Sequence, residues 1–215
     1  MNDKVKEAIR WIRQGEGQYV EFKKKANHPE KIVREVVAFA NTQGGHLFIG
    51  VDDDGGISGL KYPEDEEFIL SKAIRELARP EIDFEVSLVR VREDVQILHY
   101  AIAEGLHKPY FSFLDKKHKT GRSFVRVEDQ SIQASYEMRQ ILKRSNRNAM
   151  PIVFEEKVEI LFKHFNDHSG ITLTEYMEIS GLDKKLASNK LINLALSGAL
   201  KIQPKEGGDV FLPVD

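Results

Sequence analysis

Lysine and arginine side chains are concentrated in one stretch of the chain, from Lys108 to Arg147. It holds ten Lys or Arg and four Asp or Glu, a local excess of six positive charges in a protein of net charge −2. Clustered cations neutralise phosphates and release their counterions, so the stretch predicts a phosphate-facing surface; the alternative is an ordinary solvated face. The cations that we predict to bind nucleic acid in the N-terminal domain are Lys23, Lys108, Lys116, Lys117, Lys119, Arg122 and Arg126.

A second group of polar side chains lies in the first half of a predicted helix. This helix runs from Asp183, a good N-terminal cap, to Leu196. Such side chains suit a helix that reads base edges in a DNA major groove. The residues concerned are Lys184, Lys185, Ser188, Asn189 and Lys190. Residues 151–215, however, have seven Lys and no Arg against ten acids, and Leu186 is expected on the exposed face. A module for partner docking or dimerisation, including a homodimer, is therefore the alternative.

Composition limits the possible chemistry further. The chain lacks cysteine, so it has no disulfide, thiolate nucleophile or cysteine-ligated zinc, and a reducing compartment, the cytoplasm, is expected. Residues Met1–Arg13 are charged without an apolar run, which predicts neither a signal peptide nor a membrane anchor. His164 and His168 have the spacing of two metal ligands but no third ligand in an HExxH arrangement, which favours a solvated pair.

Periodicity predicts a mixed α/β domain over residues 1–146. Helices are expected at Val5–Ile12, Pro29–Asn41, Glu64–Ala78 and Ser131 to about Lys143, and strands at Tyr19–Lys23, His46–Val51, Ile57–Leu60, Phe84–Val91, Val95–Ala103 and Ser123–Val127. The strand at Ile57 is expected to return as a hairpin with the strand before it. The apolar stripe of the second helix and the next strand should share one core: Ile32, Val33, Val36, Val37, Leu47 and Ile49.

A polar segment ending at Pro151 predicts a boundary, and residues 151–215 are expected to form a second, smaller domain. Its predicted helices are Val153–Phe165, a short helix capped by Thr172, and the helix after Asp183, and a hairpin of Leu200–Gln203 and Val210–Pro213 follows. Three helices closed by a hairpin are typical of a winged helix-turn-helix domain.

The most specific motif runs from Glu16 to Gly59. It reads Glu16-x4-Glu21-Phe22-Lys23, then Asn41-Thr42-x-Gly44-Gly45-x-Leu47-x-Ile49-Gly50-Val51-x-Asp53-x-Gly55, then Ile57-x-Gly59. Together with Lys108-Pro109-Tyr110 and Phe124-Val125-Arg126, this pattern resembles the Schlafen/AlbA-like family over roughly residues 14–140. The resemblance implies an AlbA-like α/β domain in a DNA-binding, regulator-like protein with a C-terminal winged helix. The sequence departs from the family after Arg126, where Glu128 and Asp129 would repel phosphate.

The same resemblance implies a metal site, because nuclease members of the family keep three acids where this chain has Glu16, Glu21 and one of Asp52, Asp53 or Asp54. We take Asp53 as the third ligand of the predicted site. Three convergent carboxylates can hold Mg²⁺ or Mn²⁺, which activates water for phosphate hydrolysis. Glu16 and Glu21 point to different faces of any regular helix or strand, so convergence requires the chain to bend at Gly17. An ATPase is also described among related domains, but Gly50-x4-Gly55 lacks the lysine of a phosphate-binding loop.

The sequence is compatible with three functions. The first is a DNA-binding, transcription-regulator-like protein without a cofactor, in which the α/β domain contacts phosphates and the winged helix reads sequence. The second is an enzyme, a Mg²⁺- or Mn²⁺-dependent endoribonuclease of Schlafen type. The third is a protein-interaction or dimerisation adaptor that works through the winged helix. We expect nucleic acid as the partner, DNA rather than RNA, and no association with a membrane.

Overall fold

A four-stranded sheet with helices on both faces organises the N-terminal half of the chain. The computed structural model describes residues 3–145 and 155–214. The elements of this half are α1 (Asp3–Ile12), β1 (Val20–Lys23), α2 (Pro29–Asn41), β2 (Gly45–Ile49), α3 (Pro63–Leu77), β3 (Ala78–Arg79), β4 (Phe84–Arg92), β5 (Val95–Ile102), β6 (Phe111–Ser112), β7 (Phe124–Val127) and β8 (Gln130–Gln133).

The sheet is mixed, with strand order β1-β2-β5-β4. Strands β1 and β2 pair in parallel, with Val20 opposite His46, whereas β2–β5 and β5–β4 pair in antiparallel. Two short antiparallel pairs, β3 with β6 and β7 with β8, complete this half. The predicted mixed α/β class is confirmed.

Side chains alternate between the two faces of the sheet. One face packs against α2 and α3, and its core contains all six residues expected to pack together: Ile32, Val33, Val36, Val37, Leu47 and Ile49. The opposite face packs against α1, where Phe22, Phe48 and Ile97 meet Ala8 and Ile12 of that helix. Because neighbours along a strand point to opposite faces, β2 contributes Leu47 to one core and Phe48 to the other.

Two local predictions for this half need correction. The expected antiparallel return of residues 57–60 is present as a bridge between Val51 and Ile57 and a bond from the Gly59 amide to the Gly50 carbonyl at 2.9 Å, but the segment does not form a strand. The helix expected from Ser131 begins five residues later, because residues 130–133 pair with β7 as strand β8. Ser135 caps this helix, α4 (Tyr136–Arg144), by accepting a hydrogen bond from the Met138 amide.

The second half contains α5 (Glu156–His164), β9 (Ile171–Thr172), α6 (Leu173–Ser180), α7 (Lys184–Leu196), β10 (Leu200–Gln203) and β11 (Val210–Pro213). Its strands form an antiparallel sheet of order β10-β11-β9. The predicted ends of its helices are confirmed: Thr172 and Glu175 form a capping box, Gly181 ends α6 with φ +68°, and Asp183 caps α7. Residues 153 and 154 of the predicted first helix lie outside the described residues.

The contacts divide the chain into two units, Met1–Gln133 and Ala134–Asp215. Helix α4 therefore groups with the second unit, whereas the sequence pattern assigned it to the first. Ile141 packs into the second unit's core, and Ser188 of α7 donates a hydrogen bond to Glu137 of α4 at 2.6 Å. The predicted boundary segment 146–150 lies outside the described residues. No helix in the described part of the chain is long and apolar enough to cross a membrane.

Candidate nucleic-acid interface

An exposed loop of ten residues, 113–122, connects β6 to β7 and carries most of the predicted phosphate-binding cations. Two backbone hydrogen bonds of 2.8 Å between Ser112 and Arg122 close its base. Within the loop, the Asp115 carboxylate accepts hydrogen bonds from the amides of Lys117 and His118, at 2.7 and 3.0 Å. Because an Asp side chain bonded to the following amides stabilises a turn, the loop has a defined path. We call residues 113–122 the basic loop.

The cations of the basic loop are exposed and have few acidic partners. Lys116, Lys117, Lys119 and Arg122 are all exposed. Lys116 pairs with Glu76 at 2.8 Å and keeps 62% of its side chain exposed. For the other three, the described residues provide no carboxylate within 4.0 Å. Positive charge that is not neutralised inside the protein remains free to attract an anion.

Two other lysines predicted to contact nucleic acid, Lys23 and Lys108, are bonded to carbonyl and carboxylate groups of the protein. The Lys108 ammonium donates to the Thr42 carbonyl at 2.7 Å and to Glu104 at 2.6 Å, and 12% of its side chain is exposed. The Lys23 ammonium donates to the Phe22 carbonyl at 2.9 Å and to the Glu21 carboxylate. Both lysines therefore have internal partners that a phosphate would have to replace.

Arg126 requires a correction, since its side chain is fully buried instead of facing a phosphate. Its guanidinium pairs with Glu21 at 2.8 Å and Glu35 at 3.1 Å and lies over the Phe39 ring. It also donates to the Gly17 and Val20 carbonyls, at 3.0 and 3.1 Å. A buried guanidinium is stable when its donors and its charge are matched in this way. Arg126 therefore joins β7 to β1 and α2 and does not serve as an exposed contact.

The motif residue Asn41 has a structural role at the end of α2. Its buried amide group donates to the Phe124 carbonyl at 2.8 Å, the Tyr110 carbonyl at 3.0 Å and the Ser123 hydroxyl at 3.1 Å. Its oxygen accepts from the Tyr110 amide at 2.7 Å. These bonds hold both ends of the segment that contains β6 and the basic loop, so Asn41 positions that loop from the interior.

Thr42, Gly44 and Gly45 shape the turn from α2 into β2, and Gly50 directly follows β2. The Thr42 hydroxyl donates to the Ala38 carbonyl at 2.7 Å and accepts from the Arg126 amide at 2.9 Å. Gly44 has φ +74°, and a Cβ there would lie 2.6 Å from the Ile102 carbonyl oxygen. At Gly45 a Cβ would meet the Phe39 ring, and at Gly50 it would meet Leu60 and Ile97. Only glycine fits these close approaches.

Two acids of the predicted metal site, Glu21 and Asp53, lie close enough to Glu16 to act on its charge, and the chain turns back at Gly17, whose amide bonds to the Val20 carbonyl at 3.0 Å. The Glu16 carboxylate accepts from the Phe22 amide at 2.8 Å. Burial raises the pKa of Glu16, and the nearby Glu21 and Asp53 charges raise it further, against the lowering effect of the Phe22 amide and Lys23. The expected bend at Gly17 is therefore present.

The arrangement of these acids nevertheless does not fit a resident Mg²⁺ or Mn²⁺. Glu21 is 8% exposed and already paired with Arg126 and Lys23. The Glu16 carboxylate serves a backbone amide, and Asp53 is exposed. Across residues 3–145 and 155–214, no group of three or more His, Cys, Asp or Glu side chains is placed to hold a metal ion. The same finding applies to His164 and His168, whose rings stack on each other at 4.0 Å.

Helix α7 exposes part of the predicted base-reading surface. Lys184 and Lys185 are exposed, and Asn189 is half-buried. Ser188 requires a correction, because it is buried and its hydroxyl is bonded to Glu137. Lys190 is half-buried and pairs with Glu155.

Two residues near these contacts were absent from the sequence predictions. Glu35, on the polar face of α2, is the second acid that pairs with Arg126, and burial and the Glu21 charge raise its pKa. Arg34, its neighbour, lies beside the basic loop and lines a pocket with Arg122. Both lie on the polar face of α2. The amphipathic pattern of the helix identifies that face but not the residues that pack against it.

The chain matches one protein family and is similar to two solved structures. A family model described as Schlafen, AlbA_2 matches residues 16–135. The chain is similar in structure to the DIP2311 protein from Corynebacterium diphtheriae, with 21% identity, a TM-score of 0.46 and coverage of 91% of this chain. It spans 38% of that protein. The N-terminal domain of a protein from Nitrosomonas europaea described as ATP-dependent DNA helicase RecG-related shares 19% identity at a TM-score of 0.45, over 73% of this chain and 97% of that domain. No curated protein matches the chain.

Proposed function

Because the chain belongs to the Schlafen, AlbA_2 family, we propose that it is a DNA-binding, regulator-like protein whose α/β unit holds the nucleic-acid backbone with its basic loop. The observation that carries this proposal is the exposure of Lys116, Lys117, Lys119 and Arg122 on one loop whose ends are fixed inside the protein. Such a surface attracts phosphates without reading sequence, since phosphate contacts position a protein and base contacts specify the site.

The second unit is proposed to be a winged helix that supplies any sequence reading. From α5 onward its element order is helix, strand, helix, helix and hairpin, and the short strand β9 pairs with β11 of the hairpin. In a winged helix the helix before the hairpin enters the major groove. That helix is α7, and the side chains proposed to reach base edges are Lys184, Lys185 and Asn189.

The test is a titration of labelled duplex DNA and structured RNA with the full chain at several salt concentrations, with and without Mg²⁺. Replacing Lys116, Lys117, Lys119 and Arg122 by Ala should weaken binding to unrelated duplexes about equally. Each lost phosphate contact should lower the slope of log affinity against log salt by about one unit. The matched control replaces four exposed cations elsewhere in the same unit by Ala: Arg13, Lys61, Lys72 and Arg92.

Three results are informative. Binding that is lost with the loop variant and kept by the control supports the proposal. Unchanged binding by the loop variant would remove the basic loop as the interface. Mg²⁺-dependent cleavage of RNA by the unmodified chain would replace the binding role with the nuclease alternative, although the pairing of Glu21 with Arg126 argues against it.

One observation favours a second function, an adaptor or dimerisation role of the C-terminal unit. Leu186 on α7 is 50% exposed and Ile179 on α6 is 39% exposed. An exposed apolar side chain on the helix proposed to read DNA, with another on the helix before it, also suits a protein partner. Absence of salt-dependent retention on any nucleic acid, together with concentration-dependent self-association, would favour this role.

A further inference from the structure

A small polar pocket lies between α2 and the basic loop. Its volume is about 160 Å³. Its polar lining consists of Arg34 and Glu30 from α2, Ser112 from β6, and His118, Thr120 and Arg122 from the basic loop. Phe113 and Leu114 form its apolar wall. The residues that line the pocket thus carry two guanidinium groups, two hydroxyl groups, an imidazole and one carboxylate.

The two arginines lack acidic partners in the described part of the chain. Arg34 lies over the Phe124 ring at 6.0 Å, and among the described residues no carboxylate lies within 4.0 Å of either guanidinium. Arg126, on the neighbouring strand, shows the opposite arrangement with two carboxylates at short distance. Stacking on a ring restricts the orientation of Arg34 while leaving its donors available.

The remaining charges around the pocket do not cancel the arginines. Glu30 is the carboxylate in the lining, and it lies 3.5 Å from His28 on the preceding turn. His118 lies 3.0 Å from Asp115 within the loop. Two permanent positive charges therefore face one negative charge inside the recess, which leaves a net positive site for a compact anion.

We propose that this pocket binds a terminal phosphate, the phosphomonoester at the end of a nucleic-acid strand, a specificity that rests on the proposed nucleic-acid binding. A terminal phosphate presents three acceptor oxygens and close to two negative charges. Two guanidinium forks and two hydroxyls match those acceptors. An internal phosphodiester has one charge and continues in two directions, which a recess of this size does not accommodate. A free mononucleotide or inorganic phosphate offers the same chemistry and is distinguished by the test.

The test uses small ligands, so that it does not depend on binding to long nucleic acid. Calorimetric titration of the full chain compares a thymidine dinucleotide that has a 5′-phosphate, the same dinucleotide with a 5′-hydroxyl, thymidine monophosphate and inorganic phosphate. The phosphorylated dinucleotide should bind at least tenfold more tightly than its hydroxyl form. Equal affinity of these two ligands would overturn the proposal. If inorganic phosphate or the mononucleotide binds as tightly as the phosphorylated dinucleotide, the source is a free phosphate compound and the strand-end assignment is wrong.

Variants link that preference to the pocket. Arg34→Gln and Arg122→Gln should each weaken binding of the phosphorylated dinucleotide about tenfold, because each removes charge-assisted hydrogen bonds. Glu30→Gln should strengthen it by removing a repelling charge. The matched control, Arg92→Gln, removes an exposed positive charge elsewhere in the unit and should have no effect. Arg34→Lys keeps the charge without the fork, and its affinity should lie between those of Arg34→Gln and the unmodified chain.

Closed circular duplex DNA separates this inference from the proposed function. Circular DNA has no strand ends, so Arg34→Gln should leave its retention unchanged while losing the preference for the phosphorylated dinucleotide. If the unmodified chain does not bind circular DNA, that result contradicts the proposed function alone. Unchanged dinucleotide affinity in both Arg34→Gln and Arg122→Gln would contradict the pocket alone.

Discussion

Asn41 shows how a single residue of a binding motif can act from the interior. Its side chain makes four hydrogen bonds with residues 110, 123 and 124, on both sides of the basic loop. A motif residue beside a functional loop suggests contact with a ligand, yet Asn41 is 1% exposed. Its contribution to binding is therefore indirect, through the position of the loop.

We expect Asn41→Leu to lower the free energy of unfolding by about 3 kcal/mol, because buried carbonyl and amide groups lose their partners. Urea denaturation followed by circular dichroism measures the loss. The neighbouring variant Gln43→Ala removes an exposed side chain that bonds to Tyr19 at 2.7 Å, and it should change stability by less than about 0.5 kcal/mol. Equal stability of the two variants would contradict the structural role of Asn41.

Two partly buried histidines on adjacent strands have lowered pKa values. His46 of β2 and His99 of β5 lie 2.8 Å apart between ring nitrogens, and Trp11 of α1 stacks on His46 at 4.1 Å. Burial, with smaller effects of His46 and Lys4, lowers the pKa of His99 to about 4. Burial also lowers the pKa of His46, against a raising effect of Glu7. Both rings are therefore neutral in the folded protein at neutral pH.

This pair predicts a pH dependence of stability. In the unfolded chain His99 has its ordinary pKa of 6.5, so between pH 6.5 and about 4 the unfolded state binds more protons than the folded state. The contribution is fully present above pH 6.5 and is lost progressively toward pH 4, by up to about 3 kcal/mol. His99→Gln should flatten this part of the curve of unfolding free energy against pH. An unchanged slope in the variant would contradict the assignment.

At the scale of elements, the hairpin of β7 and β8 is attached to β1 and α2 through Arg126. Its two carboxylate partners come from different elements, Glu21 from β1 and Glu35 from α2. The Ser131 hydroxyl of β8 donates to the same Glu35 carboxylate. This network occupies Glu21, so the carboxylate that the sequence predicted as a metal ligand is part of an ion pair in the structure.

Arg126→Met should therefore lower the free energy of unfolding by about 3 to 5 kcal/mol, because it leaves Glu35 without its arginine partner and Glu21 with Lys23 alone. The double variant Arg126→Met with Glu35→Gln should recover part of that loss by removing one of the two charges. Denaturant unfolding of both proteins, with the exposed Arg90→Met as a control, gives the comparison. A double variant less stable than Arg126→Met would show that repulsion between the carboxylates is not the cause.

At the scale of the whole molecule, the two units are proposed to divide the work of binding. Lys185→Ala with Asn189→Ala should reduce discrimination between duplex sites selected by the protein and unrelated duplexes, while most non-specific affinity is retained. Competition binding with both kinds of duplex measures the ratio. Loss of affinity for unrelated duplexes as large as that of the basic-loop variant would contradict the division.

The sequence by itself determined the features that depend on neighbours in the chain. Helical spacing of Ile32, Val33, Val36 and Val37 placed α2 on the core, and the caps at Thr172 and Asp183 set the starts of α6 and α7. These signals are reliable because burial of one face and capping of free amides operate within a few residues. The mixed α/β class followed from such local patterns in the predicted helices and strands.

Tertiary structure alone decided which charged and polar groups face water. Arg126 lies more than 90 residues from Glu35 in the chain, and Ser188 lies 51 residues from Glu137. Whether Gln130–Gln133 pairs as a strand likewise depended on β7. Whether a cation in a basic segment is exposed or buried depends on the element that packs against it. The sequence around the cation does not show which element that is. The cations of the basic loop remain exposed, whereas Arg126 lies buried against β1 and α2 and pairs there with Glu21 and Glu35.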